Sequence, residues 1–555
     1  MVKGDFSKEI RAYALKNAIE FGKADAKKIL PKLFQHGLKK EEIQDIMPKI
    51  MEIVEEINSS SANERLEDFK KFQGFVKEKS EEKERELPEL PDISENMVFR
   101  LAPFPSGALH IGNAKTYLLN ALYAEKYNAK TILVFDDTIG SEEKQIVPEA
   151  YSLIREAFDW LGVKYDKEII YKSDRLQIYY DYAEKLISLD KAYVCKCSVE
   201  TLRKNREKGV ECKCRSASIE DNIENWKKMF KAKPGKMVLR IKTDMKHPNP
   251  AFRDRVLFKI ADREHPRVGK KYRVWPTLEM TWAVDDYLLG ITHIIRGNDL
   301  MIETEMEKYI WDIFGWKHPA TIHVGMVRIE GAEAKISKSK AQKEVKSGEF
   351  IGWDDPRTWS IQSLKRRGIL KEAIREFVRE IGLNKQDIII PIESLYAINR
   401  KIIDMDADRY SFVKEPVKLE IANMPLIKEI EAPVHPDKQE TRKVKIGSEI
   451  FISGEDFKKF KGKRIRLIHL YNIELDDKSG FASEEIEEGI PKINWVSENV
   501  NAKILMPDGK WVSGIAEKNI ENLKEGQIIQ FERFGFVRFD RVNEKGEYEF
   551  WFAHK

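Results

Sequence analysis

Cysteine is nearly absent from this chain: there are four in 555 residues, all between positions 195 and 214. So few, so local, cannot staple a chain of this length, which excludes a disulfide scaffold of the secreted kind. Long apolar runs are missing as well. No stretch approaches the roughly 20 residues that span a bilayer, and Met1 to Lys16 mixes charged and apolar residues where a signal peptide would be apolar. The expectation is a cytoplasmic protein with no membrane partner. A dominant charge is also lacking: 97 Lys and Arg against 93 Asp and Glu leave a net +4. No whole-molecule field therefore draws in a polyanion, and any nucleic-acid contact must come from local clusters. No repeat of fixed period is evident, which excludes solenoids and propellers. What remains is 42% hydrophobic, 10% aromatic and 34% charged, the composition of a folded globular chain. The charge is mostly Lys and Glu and glutamine is sparse, a balance expected of a heat-adapted protein because the desolvation cost of ion pairs falls with temperature.

The length predicts several domains. Residues 1–94 read as a helical domain and linker. Ile10, Leu15 and Ile19 form one stripe at helical spacing, Ile29, Leu33 and Phe34 a second, and Ile43, Ile46, Ile50 and Ile53 a third. The charged run 77–86, followed by Pro88 and Pro91, reads as a solvated linker. Residues 95–190 open as strand, glycine-bearing turn, helix, strand, the start of a parallel α/β domain. Residues 191–273 interrupt that pattern with the cysteines, a polar helix and a strand pair. It resumes over 274–345, helical spacing dominates 346–412, and 413–555 breaks into short alternating runs expected to form two antiparallel β-barrel-like units.

Two segments carry candidate chemistry. Pro105 to Asn113, with His110, Gly112 and Asn113, lies between a strand and a helix, so the unsatisfied N–H groups of the helix start face an anion site. His110 can donate to a phosphate oxygen, and Gly112 leaves room beside it. Lys335-Ile336-Ser337-Lys338-Ser339 brings two cations and two hydroxyls into one loop. Such groups stabilise charge developing on non-bridging oxygens when a carboxylate is joined to an α-phosphate.

Together, HIGN and KISKS resemble the paired signatures of class I aminoacyl-tRNA synthetases. Arg100-Leu101-Ala102-Pro103, Phe135-Asp136-Asp137-Thr138, Gly290-Ile291-Thr292-His293, Leu239 to Met245 and Trp353 to Arg357 narrow the likeness to the glutamyl/glutaminyl subgroup. The β-rich tail resembles the anticodon-binding barrels of the glutaminyl and the archaeal and eukaryotic glutamyl enzymes, so that among glutamyl enzymes the likeness is to the archaeal kind. The resemblance implies a Rossmann-type catalytic domain split by an insertion that grips the tRNA acceptor end, a helical stem-contact domain, and barrels that bind the anticodon. It implies activation of glutamate with Mg2+-bound ATP and transfer to tRNA(Glu) by a monomer, and leaves open whether tRNA(Gln) is a further acceptor. It assigns His110, Asn113, Lys335 and Lys338 to catalysis, Arg100, Asp136 and Arg296 to glutamate, and Gly112, Asp299, Ser337 and Ser339 to ATP. Arg296 stands where glutamyl enzymes keep an arginine and glutaminyl enzymes an uncharged residue, and a planar guanidinium pairs a carboxylate bidentately. Asn113 replaces the family's second histidine, and Leu278 and Trp282 stand where many relatives have tyrosine and a polar residue. The rival readings are a glutaminyl-tRNA synthetase, a small nucleotidyltransferase with the histidine motif alone, and a tRNA-binding factor with a decayed site.

Cys195, Cys197, Cys212 and Cys214 form two Cys-x-Cys pairs, a pattern suited to tetrahedral structural zinc. The basic runs Lys365 to Arg367 and Lys458 to Arg464 are candidate phosphate tracks, the second with Phe460 placed to stack a base.

Overall fold

A computed structural model describes residues 6–39, 42–76, 86–140, 145–330, 338–422, 427–447, 449–476, 479–483 and 489–555. The chain divides into two compact units, Met1–Glu86 and Leu87–Lys555. In the first, helices Ser7–Phe21, Ala26–Leu33, Ile43–Ser59 and Ala62–Phe72 bury Ile10, Leu15, Ile29, Leu33, Ile46, Ile50 and Ile53. Two stripe residues depart from the expected pattern: Ile19 and Phe34 are 38% and 40% exposed. Ile19 lies in the last turn before the left-handed stop at Gly22, and Phe34 has left its helix for a tighter turn, so the helical period no longer fixes which way either faces.

The second unit is built on a parallel sheet. Its strands are β1 (Val98–Leu101), β2 (Lys130–Phe135), β3 (Ile170–Tyr171), β4 (His293–Gly297) and β5 (Ala320–Val324). They lie in the order β3-β2-β1-β4-β5, all parallel. Phe99, Leu101 and Ile132 to Phe135 are buried, the near-continuous apolar run of strands covered on both faces. Helix α1 (Ile111–Lys126) follows β1, and α2 (Leu278–Leu288) and α3 (Met301–Phe314) flank β4. The chain leaves β1 towards β2 and β3 and later returns to its other side as β4. The order therefore reverses between β1 and β4, where the carboxyl ends of the strands splay into a crevice that takes ligands.

Residues 87–91 are not the free linker that their prolines suggested. Leu87 and Leu90 are buried, Tyr123 and Lys126 of α1 donate to the carbonyls of Pro88 (2.9 Å) and Leu87 (2.6 Å), and Leu90 N donates to Tyr127 Oη (3.0 Å). Between β3 and β4 stands an antiparallel sheet of Ala192–Cys195, Val238–Ile241, Val256–Ile260 and Val274–Pro276, in chain order. Its two outer strands, Ala192–Cys195 and Val274–Pro276, were not read from the sequence. Ile388–Pro391, inside the expected helical stretch, is likewise a strand, paired in parallel with β6 (Val327–Glu330).

Among the described residues the tail is two seven-stranded sheets, the sequence of one inserted in that of the other, with a two-stranded sheet of Glu429–Pro433 and Thr441–Lys445 beside them in the sequence. The outer sheet uses 409–414 and 499–554, and the inner uses 416–496. In the outer sheet the two edge strands, Arg409–Tyr410 and Phe412–Lys414, are separated in the chain only by Ser411. In the inner sheet the edges Lys492–Ile493 and Trp495–Val496 are separated only by Asn494. Each sheet must curl until its edges meet, so both are nearly closed barrels. The run read as one strand, Ile528 to Phe536, is two, because Arg533 turns the chain at positive φ.

Candidate active site

Beyond the carboxyl ends of β1 and β4 lies a cavity of about 350 Å³, and Arg100, His110, Gly112, Asn113, Asp136, Arg296 and Asp299 all line it. Lys335 and Ser337 lie outside the described residues. Lys338 and Ser339 open α4 (Lys338–Ser347), and β6, which leads towards that segment, gives Val327 and Arg328 to the cavity wall. Asn113 Oδ1, Trp282 Nε1 and Arg296 Nε are buried in this wall without a hydrogen-bond partner among the described residues, and Asp136 Oδ1 there has only Lys172 Nζ, at 3.2 Å. Folded proteins leave few such atoms. Their grouping marks a wall built for a polar ligand.

The two arginines are each half committed. Arg100 donates from Nε and Nη2 to Asp286 at 2.5 and 3.1 Å, which occupies its side and leaves the Nη end. Its guanidinium carbon and Lys172 Nζ both stand 3.4 Å from the Trp282 ring centroid. Two cations at that distance cannot share a face, so the indole is held between them. Burial lowers the Lys172 pKa, while Asp136, 3.2 Å away, holds it up. Arg296 is committed at the other edge: Nη1 donates to Thr304 Oγ1 at 3.1 Å and to Glu307 Oε2 at 2.6 Å. Burial opposes its charge, but Glu307 holds its pKa above the ordinary guanidinium value. Burial in turn pushes the Glu307 carboxyl up to about 7, although Arg296 draws it down.

At the opposite wall His110 caps α1. Its Nδ1 accepts from Asn113 N at 3.4 Å, so the ring proton sits on Nε2, and the helix dipole adds partial positive charge at this end. The room that Gly112 leaves is filled in part by protein, since a Cβ there would stand 3.2 Å from both His110 Nδ1 and the Val327 carbonyl oxygen. The missing side chain lets α1 begin tight against β6. Lys115, one turn further on, escaped the sequence reading. It is buried, donates to the Gly325 carbonyl at 2.9 Å, and burial brings its pKa down to about 8 against the pull of Asp387. Lys172, Asp286 and Glu307 were missed too, as single charges without a motif around them.

The model of "tRNA synthetases class I (E and Q), catalytic domain" matches residues 96–405, and two anticodon-binding domain models of the same family match 407–493 and 492–540. The chain belongs to the class I (E and Q) tRNA synthetases. It is 42% identical to the glutamate–tRNA ligase of Pyrococcus abyssi, over 96% of each chain, and 42% identical to that of Pyrococcus furiosus, over 98% of each. To the glutamate–tRNA ligase of Methanocaldococcus jannaschii it is 40% identical, over 97% of this chain and 98% of that one.

The cysteines of this synthetase converge. The Sγ atoms of Cys195, Cys197, Cys212 and Cys214 all lie within 4.8 Å of one another, with 3.7 Å between Cys195 and Cys212 and 4.0 Å between Cys197 and Cys214. Thiolates around a tetrahedral zinc, at Zn–S of about 2.3 Å, stand about 3.8 Å apart. Lys196 N and Arg240 Nη1 approach Cys214 and Cys212 at 3.5 and 3.9 Å, donors suited to negative sulfur. The donor set fits structural zinc.

The synthetase uses its basic runs differently from the sequence reading. Arg367 is fully buried and donates to the carbonyls of Phe552 (3.0 Å) and Ala553 (2.8 Å). Arg366 pairs with Asp354 at 2.6 Å and Asp540 at 2.8 Å. These side chains join the outer barrel to the helix Ile361–Arg367. Phe460 is buried in the inner barrel, where no base can stack on it, while Lys458, Lys459 and Lys461 to Arg464 around it are exposed.

Proposed function

We propose that the chain is a glutamate–tRNA ligase that holds its amino acid between Arg100, Arg296 and Asp136 and its ATP at the start of α1. One arrangement supports the reading best: two buried arginines offering different edges, the end of Arg100 and the Nε side of Arg296, across one cavity wall. Glutamate and glutamine have nearly one shape, so charge must separate them, and a guanidinium edge pairs a carboxylate bidentately. Asp136 takes the α-ammonium group. An α-carboxylate oxygen of glutamate attacks the α-phosphorus of Mg2+-bound ATP, and the new acyl–phosphate bond forms as the bond to pyrophosphate breaks. The terminal ribose hydroxyl of tRNA then attacks the acyl carbon, releasing AMP and a proton. His110 Nε2–H and Asn113 donate to ATP beside the helix end, Gly112 and Asp299 shape the nucleotide wall, and Lys335, Ser337, Lys338 and Ser339 are assigned to the phosphates by their motif.

Two further cavities support a route for the tRNA end. One of about 490 Å³ shares Phe104, Asp136, Leu278 and Leu300 with the site and adds Arg206 and Lys259, together with Arg255 paired to Glu279 and Glu303. The next, about 460 Å³, shares Arg206 and Lys259 and reaches Cys195 and Cys197. The single-stranded acceptor end follows this path through residues 191–273, where Cys195, Cys197, Cys212 and Cys214 would hold zinc and so stiffen its far end. Residues 413–555 read the anticodon.

The test is charging of purified tRNA(Glu) and tRNA(Gln) with glutamate and with glutamine, side by side. Glutamate on tRNA(Glu) is the expected product, and glutamate on tRNA(Gln) extends the acceptor range. Esterification of glutamine in place of glutamate overturns the reading.

A further inference from the structure

Both hydrogens of Arg296 Nη1 are engaged, one by Thr304 Oγ1 at 3.1 Å and one by Glu307 Oε2 at 2.6 Å. Glu307 is fully buried and lies behind Arg296, outside the residues that line the cavity. Thr304 is itself fixed, since its Oγ1 donates to the Leu300 carbonyl at 3.1 Å and lies 3.0 Å from His323 Nε2 on β5. With Nη1 pinned, two parallel N–H bonds to a carboxylate can come only from Nε and Nη2, and Nε has no partner among the described residues.

We propose that Glu307 is a specificity-determining positioning residue: with Thr304 it clamps the Nη1 corner of Arg296, so that the Nε edge meets the side-chain carboxylate of glutamate with its charge only partly compensated. The proposal rests on the assignment of Arg296 to glutamate made above, and it adds a residue that touches neither substrate.

The clamp also makes recognition respond to pH. Glu307 on α3 faces Arg296 on β4, Asp286 on α2 and Arg100 on β1, with Glu303 on its own helix and His323 behind Thr304. Arg100 is already covered by Asp286, so the state of Glu307 decides how much positive charge the Arg296 edge presents. A protonated Glu307 still accepts from Nη1 and leaves the guanidinium charge whole. An ionised one cancels much of it and repels the incoming carboxylate. Burial sets the Glu307 carboxyl near neutrality, about 7. Glutamate affinity is then highest below pH 7 and falls as pH rises through it, with a proton taken up on binding.

The experiment compares wild-type, E307Q and E307A full-length protein in tRNA charging, with glutamate KM and kcat measured from pH 6 to 9. Glutamine keeps the acceptor and loses the charge. E307Q is expected to flatten the pH profile of glutamate KM, holding it at the wild-type low-pH value. E307A releases the Nη1 corner and is expected to raise glutamate KM at least tenfold, more than it lowers kcat. A merely structural Glu307 would change Tm and leave the pH profile in place. Glutamate KM in E307Q that follows the wild-type pH profile overturns the proposal, even if E307A fails to fold. Wild-type protein that charges no glutamate overturns the assignment of Arg296 together with it, whereas wild-type charging indifferent to residue 307 sinks the clamp alone.

Discussion

Replacing Arg296 by glutamine removes two things at once, and the structure separates them. The first is recognition. A carboxylate on the Nε edge makes two charge-assisted bonds in a buried wall, and losing both costs about 3–4 kcal/mol. At 1.4 kcal/mol per tenfold, kcat/KM for glutamate falls by about 10²–10³. The second is the fold. Arg296 is 4% exposed and Glu307 fully buried, and breaking such a pair from one side costs about 3–5 kcal/mol. Glu307 escapes part of that cost by taking up a proton, because its pKa already stands at about 7. The loss of Tm in R296Q is therefore expected to deepen as pH rises from 6 to 8. Adding E307Q removes the stranded carboxyl and places two amides face to face, so Tm recovers while glutamate charging does not. Thermal unfolding and charging kinetics on wild type, R296Q and R296Q/E307Q give both readouts on the same proteins. Return of glutamate charging together with Tm in the double variant would refute the reasoning, since Arg296 would then have acted through folding only.

The remaining expectations concern other parts of the chain. Metal analysis of the purified protein should give one zinc per chain, with X-ray absorption showing four sulfurs at about 2.3 Å, and C212S should lose the metal and destabilise residues 191–273 in hydrogen exchange. G325A should lower kcat sharply and Tm with it, because a Cβ there would lie 1.9 Å from the Gln386 carbonyl oxygen and force apart the backbone that roots β6. R366A should cost about 2 kcal/mol of stability through its lost bonds to Asp354 and Asp540, while the salt dependence of tRNA KM stays as in wild type, the reverse of what a phosphate contact would show. Relative to E307Q, the wild type should lose stability as pH rises from about 4.5 to 7 and no further above it, because a carboxyl raised in the folded state holds its proton more tightly there than in the unfolded chain.

What was legible in the sequence was whatever is written contiguously. HIGN sits on a strand–turn–helix because the apolar run before it and the helical spacing after it are local patterns, and the paired Cys-x-Cys motifs meet across one short helix, Val199–Lys208, that returns the chain from the end of one strand to the tight turn Lys213–Ser216. Glu307, Asp286 and Lys172 were illegible because their importance lies in what they face, and each partner belongs to a different element: Glu307 to Arg296, Asp286 to Arg100, and Lys172 to Trp282. Lys365 to Arg367 misled for the opposite reason. A basic triplet looks like a solvated face, yet a helix turns successive residues about 100° apart, and that sent Arg367 into the core and Arg366 onto Asp540. Trp282, marked in the sequence only as a departure from its relatives, holds the Arg100 and Lys172 charges apart.

Because the inner barrel interrupts the outer one between Lys414 and Asn499, the outer edges at Ser411 cannot find their partners until about eighty intervening residues have been gathered in. Left as coil, that excursion costs on the order of 4 kcal/mol in closure entropy. Once Ile450–Ser453 pairs with both Pro416–Leu419 and Trp495–Val496, the two ends of the excursion are held one strand apart and most of the cost is gone. That favours assembly from inside out, and a lesion in the inner sheet is expected to slow pairing of the strands from 499 onward as well, although none of them is altered.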